Sequence, residues 1–551
     1  MLASDPAPEP ATSSGSIQLP DDFSPEQDVL VLAGRDAEPW LQALAQHGIT
    51  RVVVFTPGVT LAAGDTRSAA SPADVMARIL DFVPGVRRIT IQRLPASGVS
   101  DDEFTTLKKT IENGGMNRAT FASSGPLWVR HALGNLPSLG RSPSIDCLKG
   151  AFAGKACVLV SPGPSLAKNI AVLKELAGRV LIIAGNRGLR PLRDAGIVPD
   201  IVVVADAMDL SYQLAEGLLE GVPALVLDVV SHPAVVALGA ERCFFFSAIQ
   251  EIQESTFAGI GQLGSLGSGG SVATVALTLA LHLGAEPIMM VGQDLALTGD
   301  QYYIPSAPDG NTRIKVESGI GTFENSSPQL RQAMHDAGGI KVDEHSFQHF
   351  IKVPGYHGGE VYTSLQFDTY RRWFGGAAQD HAGKVRLVNC TEGGARIEHM
   401  EQKALAEMGQ ELALSPFSAA ETLAACRGRC PRRELERAVE QHIKQLQRCL
   451  HETFEEVQRC EKISHQVERA PEQLERLDKA ERKLTEAVRK LPFVTALASA
   501  EIERARRAGA NAKSLSESLN ATRRLYAVIK QAVSMARPAL SEALQRLKRA
   551  A

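Results

Sequence analysis

No apolar run in this 551-residue chain reaches the ~18 residues that a membrane span needs. The best candidate, Val272 to Gly292, is interrupted by His282, Glu286 and Pro287. Net charge is nearly absent. Fifty-nine Lys and Arg face 62 Asp and Glu, a balance of −3, which argues against a protein whose main work is coating nucleic acid or an acidic membrane surface. Cysteine is sparse: eight residues are scattered along the chain without a secretion signal, the usage of reduced thiols in a cytoplasm. The Cys426–Cys430 pair has no accompanying His or Cys cluster at metal-site spacing. Residues 1–24 have neither a basic start nor an apolar segment. Their Pro, Ser and Asp content reads as a disordered leader rather than a signal peptide. What remains is an ordinary soluble composition, 44% hydrophobic and 22% charged, with length for about three domains.

Glycine is the next scarcity, and it is local. Only three of the 47 glycines lie beyond residue 400, where 28 basic side chains outnumber 21 acidic ones. Tight βα turns use glycine and long helices avoid it, so residues 401–551 read as an all-helical bundle or long hairpin. Leu435, Val439, Ile443, Leu446, Leu450, Phe454, Val457, Cys460, Ile463 and Val467 recur by threes and fours, the mark of one apolar stripe on a long helix. Pro471 marks a second start, before Leu474, Leu477, Leu484, Val488 and Leu491; a third stripe follows from Leu515 through Leu519, Tyr526, Ile529 and Val533.

The first 400 residues alternate short apolar runs with amphipathic segments, which predicts an α/β fold with a largely parallel sheet. A smaller N-terminal α/β domain at 25–124 carries strands at 28–34, 51–57 and 87–94. A Rossmann-like central domain at 125–400 carries strands at 156–160, 179–186, 199–206, 223–229, 241–247 and 287–294. Residues 114–150 are expected to connect the two blocks, and residues 300–365 show no obvious strand.

Ligands of an open parallel sheet bind outside the carboxyl ends of its strands, so the residues that follow each strand carry the interest. The first central strand runs into Ser161-Pro162-Gly163-Pro164-Ser165, which opens a helix. The second ends in Gly185-Asn186, the third in Asp206, and the sixth in Gly292-Gln293-Asp294. Gly267-Ser268-Gly269-Gly270-Ser271 opens another helix. Each piece has a plain structural use: glycine for close helix–sheet packing, Asn186 for a turn, Asp206 and Asp294 for helix caps. Gathered on one rim they favour a nucleotide pocket, with free N–H groups near Ser165 and Ser271 attracting phosphate or carboxylate. No Lys stands at Walker spacing and the loop is not GxGxxG, so neither a P-loop NTPase nor a dinucleotide-binding enzyme is supported.

The stretches "VSPGPSLAKNIAVLKELAGRVLIIAGNRGLRPLRDAGIVPDIVVVAD", "GSLGSGGSVATVALTLALHLGAEPIMMVGQDLALTG" and "VNCTEGGARI" resemble the central domain of the motility accessory factor family, over about residues 125–400. That domain is in turn similar to bacterial sialyltransferases that use CMP-sugars. The resemblance implies O-glycosylation of bacterial flagellin, in the cytoplasm before export, with a nonulosonic acid of pseudaminic or legionaminic type. It implies that Gly163, Pro164 and Ser165 line the phosphate or sugar-carboxylate region of the donor. Asn186 and Asp206 would contact the nucleotide, and Gly269, Gly270 and Ser271 the phosphate or carboxylate. Gln293 and Asp294 would hold nucleotide or sugar, while Thr391, Glu392, Gly393 and Gly394 complete the pocket. Pro162, where relatives often carry a smaller residue, removes one backbone donor.

Such a transfer needs fixed dipoles for the leaving phosphate and a base for the acceptor hydroxyl. Asp294 and His357 are the catalytic candidates; His357 lies in "PGYHGGEVY", where flanking glycines would let it swing, and an exposed loop histidine is the plainer reading. Tyr302, Tyr303, His335, His345 and His349 fall in the same 300–365 stretch, which reads as a lid or acceptor loop. No Asp-x-Asp sugar-nucleotide motif occurs, so a reaction without metal or cofactor is expected, and no nucleophile-elbow motif supports a Ser/His/Asp hydrolase. The expected partners are flagellin and the CMP-sugar, with no nucleic acid and no membrane span; the pattern sets no oligomeric state. Two alternatives stay open. One is a pterin diphosphokinase-like enzyme, since an archaeal enzyme of that activity shares the GPSL-type domain. The other is a non-catalytic flagellin-binding scaffold or chaperone. The basic helical tail is either a structural bundle or a docking surface for the helical ends of flagellin.

Overall fold

The computed structural model describes residues 19, 23–25, 28–34, 37–57, 68–71, 75, 88–94, 98–208, 215–248, 252, 256–257, 260, 263–326, 340–342, 345–497, 504–505, 508, 512 and 514–549. Most of the expected leader, residues 1–18, lies outside them. The chain divides into two compact units, one formed by residues 1–126, 452–490 and 494–534, the other by residues 127–451, 491–493 and 535–551.

In the first unit β1 (Asp28–Ala33), β2 (Val52–Phe55), β3 (Ser68–Ala69) and β4 (Arg88–Arg93) form a parallel sheet in the order β3-β2-β1-β4. β1 reads DVLVLA and is buried throughout, as expected of a parallel strand covered on both faces. Its side chains alternate. Val29 and Val31 pack with Val53, Phe55 and Leu107 on one face, while Leu30 and Leu32 pack with Val52, Val54 and Leu44 on the other. A 39-residue helix, Asp101–Leu139, follows where a connection was expected. Ser100 and Glu103 start it as a capping box, each side chain accepting the other's backbone N–H.

The predicted tail stripes become the helices Arg432–Val467, Leu474–Arg489 and Leu515–Arg549. Within the first unit Arg523 ties two of them together through the Ser464 carbonyl and the Glu468 carboxylate, both at 2.8 Å. Tyr526 is buried and donates its hydroxyl to Glu481. Two predicted stripe residues, Leu474 and Leu515, are instead exposed. Each is the first residue of its helix, where the stripe has not yet met its neighbours.

The second unit is built on an eight-stranded parallel sheet. All six predicted central strands are present: β5 (Cys157–Val160), β6 (Leu181–Gly185), β7 (Ile201–Val204), β8 (Ala224–Asp228), β9 (Cys243–Phe246) and β10 (Ile288–Val291). Two more follow late, β16 (Leu387–Asn389) and β17 (Glu401–Gln402). One face of this sheet packs on the helices Val272–His282 and Leu365–Asp380, the other on the helix Leu166–Leu176. β6 to β9 step away from β5 on one side and β10, β16 and β17 lie on the other, so the switch point falls between β5 and β10.

The reading of residues 300–365 as strandless is wrong. An antiparallel sheet runs through β11 (Arg313–Glu317), β12 (Ile320–Glu324), β13 (Ile340–Val342), β14 (His345–Pro354) and β15 (Glu360–Ser364). Its first hairpin turns on two residues, Ser318 and Gly319, both at positive φ (52° and 79°). That geometry usually announces itself as Asn-Gly or Asp-Gly, so a Ser there conceals it. Short, mixed-polarity strands such as RIKVE also lack the continuous apolar runs of the parallel sheet.

Candidate functional site at the switch point

Two loops meet at the carboxyl ends of β5 and β10. Ser161 donates its N–H to the Val291 carbonyl at 3.0 Å, Gly163 donates to the Gly292 carbonyl at 2.8 Å, and the Ser161 hydroxyl bonds the Gln293 side chain. The loops run so close that a Cβ on Gly163 would lie 2.0 Å from Asp294 Oδ1 and 2.4 Å from the Gly292 carbonyl oxygen. Only glycine fits there. Pro162 has no N–H to give, and its carbonyl accepts from Ile304 at 2.9 Å.

Asp294 is buried beneath this crossing. Its Oδ1 accepts the Ser165 hydroxyl at 2.6 Å, its Oδ2 accepts the Thr298 hydroxyl at 2.6 Å, and the Ser165 N–H lies 3.3 Å from Oδ2. Burial pushes the Asp294 carboxyl above its ordinary range, while the bonds from Ser165 and Thr298 and the charge of Lys168 pull the other way. The helix start at Ser165 is therefore not the open anion site that the sequence suggests. The next N–H groups, of Leu166, Ala167 and Lys168, bond the carbonyls of Gly163, Pro164 and Ser165. At the other helix start the Ser271 hydroxyl accepts from Ala273, Gly269 donates to the Thr274 hydroxyl, and Gly270 donates to the Ser268 hydroxyl. Short Ser, Thr and Asp side chains have taken the donors first.

The loop after β16 completes the cluster. Thr391 Oγ1 accepts the Gln293 N–H at 3.3 Å, and Ala395 donates to the Asp294 carbonyl at 2.7 Å. Glu392 sits in the left-handed region (φ 57°). Its carboxylate accepts Asn169 Nδ2 at 2.7 Å and the Leu405 N–H at 3.2 Å; its carbonyl accepts Lys168 Nζ at 2.7 Å and faces His357 Nε2 at 3.0 Å. A carbonyl only accepts, so this contact sets His357 as the Nε2–H tautomer when neutral and leaves a lone pair on Nδ1. Gly393 packs beside Ser165. The structure thus joins Gly163, Pro164, Ser165, Gln293, Asp294, Thr391, Glu392, Gly393 and His357 in one region.

The other predicted residues form a second region or stand apart. Asn186 is buried at the end of β6 and accepts the Arg187 N–H at 3.1 Å. Its neighbour Gly185 faces Val272, the residue after Ser271. Arg187 pairs with Asp309 at 3.4 Å and lies over the Tyr303 ring, 5.3 Å from its centroid. A Cβ on Gly269 would strike Trp373, and Gly270, at φ 91°, faces Tyr370. Asp206 is exposed and accepts the Met208 N–H at 2.9 Å, a turn within its own loop. Among the described residues it joins neither region by a hydrogen bond. His335 lies outside the described residues, as does the side chain of His345, while His349 is exposed on β14.

Sequence reasoning passed over Lys168, Asn169 and Thr298. Helical spacing offered a signal for the first two, three and four residues beyond Ser165; Thr298, in a loop four beyond Asp294, had none. Tyr370 and Trp373 had none either, because the antiparallel sheet that precedes their helix was not foreseen. Among the described residues no three His, Cys, Asp or Glu side chains stand together as metal ligands, and no helix is long and apolar enough to cross a membrane.

A solved structure of a MAf glycosyltransferase from Magnetospirillum magneticum AMB-1 superimposes with a TM-score of 0.51, covering 95% of this chain and 80% of that one at 16% identity. The chain shares the fold of that glycosyltransferase. Residues 130–300 match the family described as 6-hydroxymethylpterin diphosphokinase MptE-like. That span contains every predicted site residue from Gly163 to Asp294 but excludes His357 and the Thr391–Gly393 loop. No curated protein matches the chain.

Proposed function

We propose that this protein is a glycosyltransferase that moves a nonulosonic acid of pseudaminic or legionaminic type from its CMP-sugar to Ser or Thr of flagellin, in the cytoplasm and without a resident metal. The observation that carries this reading is the fold shared with the Maf glycosyltransferase over 95% of the chain, with the rim loops meeting at the sheet's switch point. In this reading His357 is the base. Glu392 holds its Nε2–H, so Nδ1 is the atom that takes the acceptor hydroxyl's proton as the oxygen attacks the sugar's anomeric carbon and the bond to the CMP phosphate breaks. Asp294 orders the two rim loops from beneath and does not touch the acceptor. Asn186, Gly269, Gly270 and Ser271 bind the nucleotide end of the donor.

The test is the intact mass of flagellin from cells with and without this protein. The proposal expects a loss of nonulosonate-sized increments when the protein is removed, and unchanged flagellin mass overturns it.

A second reading rests on the match of residues 130–300 to the pterin diphosphokinase family. It predicts pyrophosphoryl transfer from ATP to a hydroxymethyl pterin by the purified protein. Two features support the glycosyltransferase instead: Glu392 and His357 lie outside the matched span, and so does the helical tail.

A further inference from the structure

The helix Leu166–Leu176 begins on the buried Asp294 carboxyl, and its first N–H groups are bonded to that group and to the carbonyls of Gly163, Pro164 and Ser165, so they have nothing left to offer a ligand. The proposed donor carries two anionic groups, a phosphate and a carboxylate, and the region needs a positive charge to receive them. Among the described residues named above, Arg187 and Lys168 are the cations of this rim. Arg187 is neutralised by Asp309 and covers the Tyr303 ring. Lys168 is different: it is exposed, and among the described residues no carboxylate lies within ion-pair distance of it. Glu392 turns its carboxylate to Asn169 and the Leu405 N–H, and its carbonyl meets Lys168 Nζ; the Lys168 charge is felt by the buried Asp294 without a hydrogen bond between them.

That carbonyl is also the one that faces His357 Nε2. An ammonium has three N–H donors, and one bond to a neutral carbonyl uses one of them. The remaining two are left for an oxyanion that enters beside His357. A phosphate or carboxylate oxygen carries a full charge that the Glu392 carbonyl lacks, so an entering oxyanion adds Coulomb attraction to the ammonium's hydrogen bonds.

We infer that Lys168 is the cation that receives an oxyanion of the donor, holding it next to His357. The inference deepens the glycosyltransferase reading and rests on it for the identity of the donor. It places a binding role on the first helical turn after Gly163-Pro164-Ser165, at a side chain rather than at the backbone of that loop.

The experiment is titration calorimetry of the full chain and of Lys168→Met and Lys168→Arg with CMP-N-acetylneuraminate, CMP, N-acetylneuraminate and ATP. Lys168 is exposed, so Lys168→Met is expected to melt at the wild-type temperature. The inference expects at least a ten-fold loss of affinity in Lys168→Met, recovery in Lys168→Arg, and a salt dependence of binding that Lys168→Met weakens. Loss with CMP assigns the phosphate to Lys168; loss with N-acetylneuraminate assigns the carboxylate. Equal affinity of wild type and Lys168→Met for CMP-N-acetylneuraminate overturns the inference and leaves the donor reading standing. A Lys168-dependent affinity for ATP with none for the CMP-sugar overturns the donor reading and supports the cation's role. Binding of none of the four probes by the wild type overturns both.

Discussion

Ser165 and Asp294, 129 residues apart, close on each other at the centre of the rim: the serine hydroxyl donates to the carboxylate at 2.6 Å, and both residues are buried. The bond fastens the start of one helix to the end of a neighbouring strand. It makes Asp294 the keystone of the loops that shape the site, and it accounts for a carboxylate after β10 without giving it the acceptor's proton.

The first prediction follows from that bond. Asn in place of Asp294 keeps the shape but presents an amide to donors that need an acceptor. Leaving a buried donor without its acceptor costs about 1–3 kcal/mol, so Asp294→Asn is expected to lower unfolding stability by about 3 kcal/mol. Ser165→Ala removes one bond and is expected to cost about half as much. Urea unfolding of both variants checks this. Wild-type stability in Asp294→Asn would reassign the residue from the frame to the chemistry.

Gly163 gives the second. A Cβ at this position falls inside van der Waals contact with both Asp294 and Gly292. Overpacking of this kind costs about 1–3 kcal/mol, and it pushes the loop outward from its contact with β10. Gly163→Val is expected to lower the melting temperature and to abolish stabilisation by CMP or a CMP-sugar. A variant that melts lower yet still gains the full increment on adding CMP would separate the loop from donor binding.

The parallel sheet was legible because its strands are continuous apolar runs that end in small turn residues, as in ACVLV before Ser161 and IMMV before Gly292. The gathering of polar loops at the strand ends followed from the same rule. What stayed hidden was pairing. Nothing in the residue types says that Asp294 spends its charge on Ser165 and Thr298, because an Asp after a strand looks the same whether it faces a ligand or a helix start. The hairpin at Ser318-Gly319 was hidden by an uncommon turn residue. Glu392 was visible as a polar residue after a strand, yet its left-handed backbone, which aims one carbonyl at both Lys168 and His357, has no counterpart in composition or spacing.

The third prediction concerns pH. Asp228 lies at the end of β8, fully enclosed, accepting the N–H groups of Val230 and Ala248. Burial pushes its carboxyl up to about 7, with those bonds opposing. Asp200, accepting the Ile182 N–H, is pushed up to about 6 by the same cause. A raised carboxyl binds its proton more tightly folded than unfolded, so its contribution is present below the ordinary carboxylate range and lost as pH rises. Stability is expected to fall between about pH 4 and pH 7 on account of these two groups. Asp228→Asn carries no titrating proton and is expected to flatten that slope. Chemical unfolding at several pH values measures it, and an unchanged slope in Asp228→Asn would assign the dependence elsewhere.

The last prediction concerns the tail. A chain ending at residue 405 would keep every predicted site residue, which suggests that the site survives without the helices. Burial argues otherwise. Within the second unit Val439 and Ile443 are fully buried and His442 bonds the Thr256 carbonyl at 2.6 Å. Arg427 bonds the Pro223 carbonyl at 3.0 Å, and Glu436 pairs with Arg141 at 2.9 Å. Removing these residues uncovers apolar surface at roughly 25 cal/mol per Å² and leaves the Thr256 carbonyl without its histidine donor. In the first unit, residues 452–490 and 494–534 supply Val457, Leu484 and Tyr526, all buried. A chain ending at 405 is therefore expected to be insoluble, so loss of flagellin modification on truncation would not by itself assign the tail to flagellin docking. Soluble yield and near-ultraviolet circular dichroism of the truncated chain decide the matter. If it is soluble, keeps the wild-type spectrum and binds CMP, the tail is dispensable to the fold, and a docking role for its helices becomes the better account.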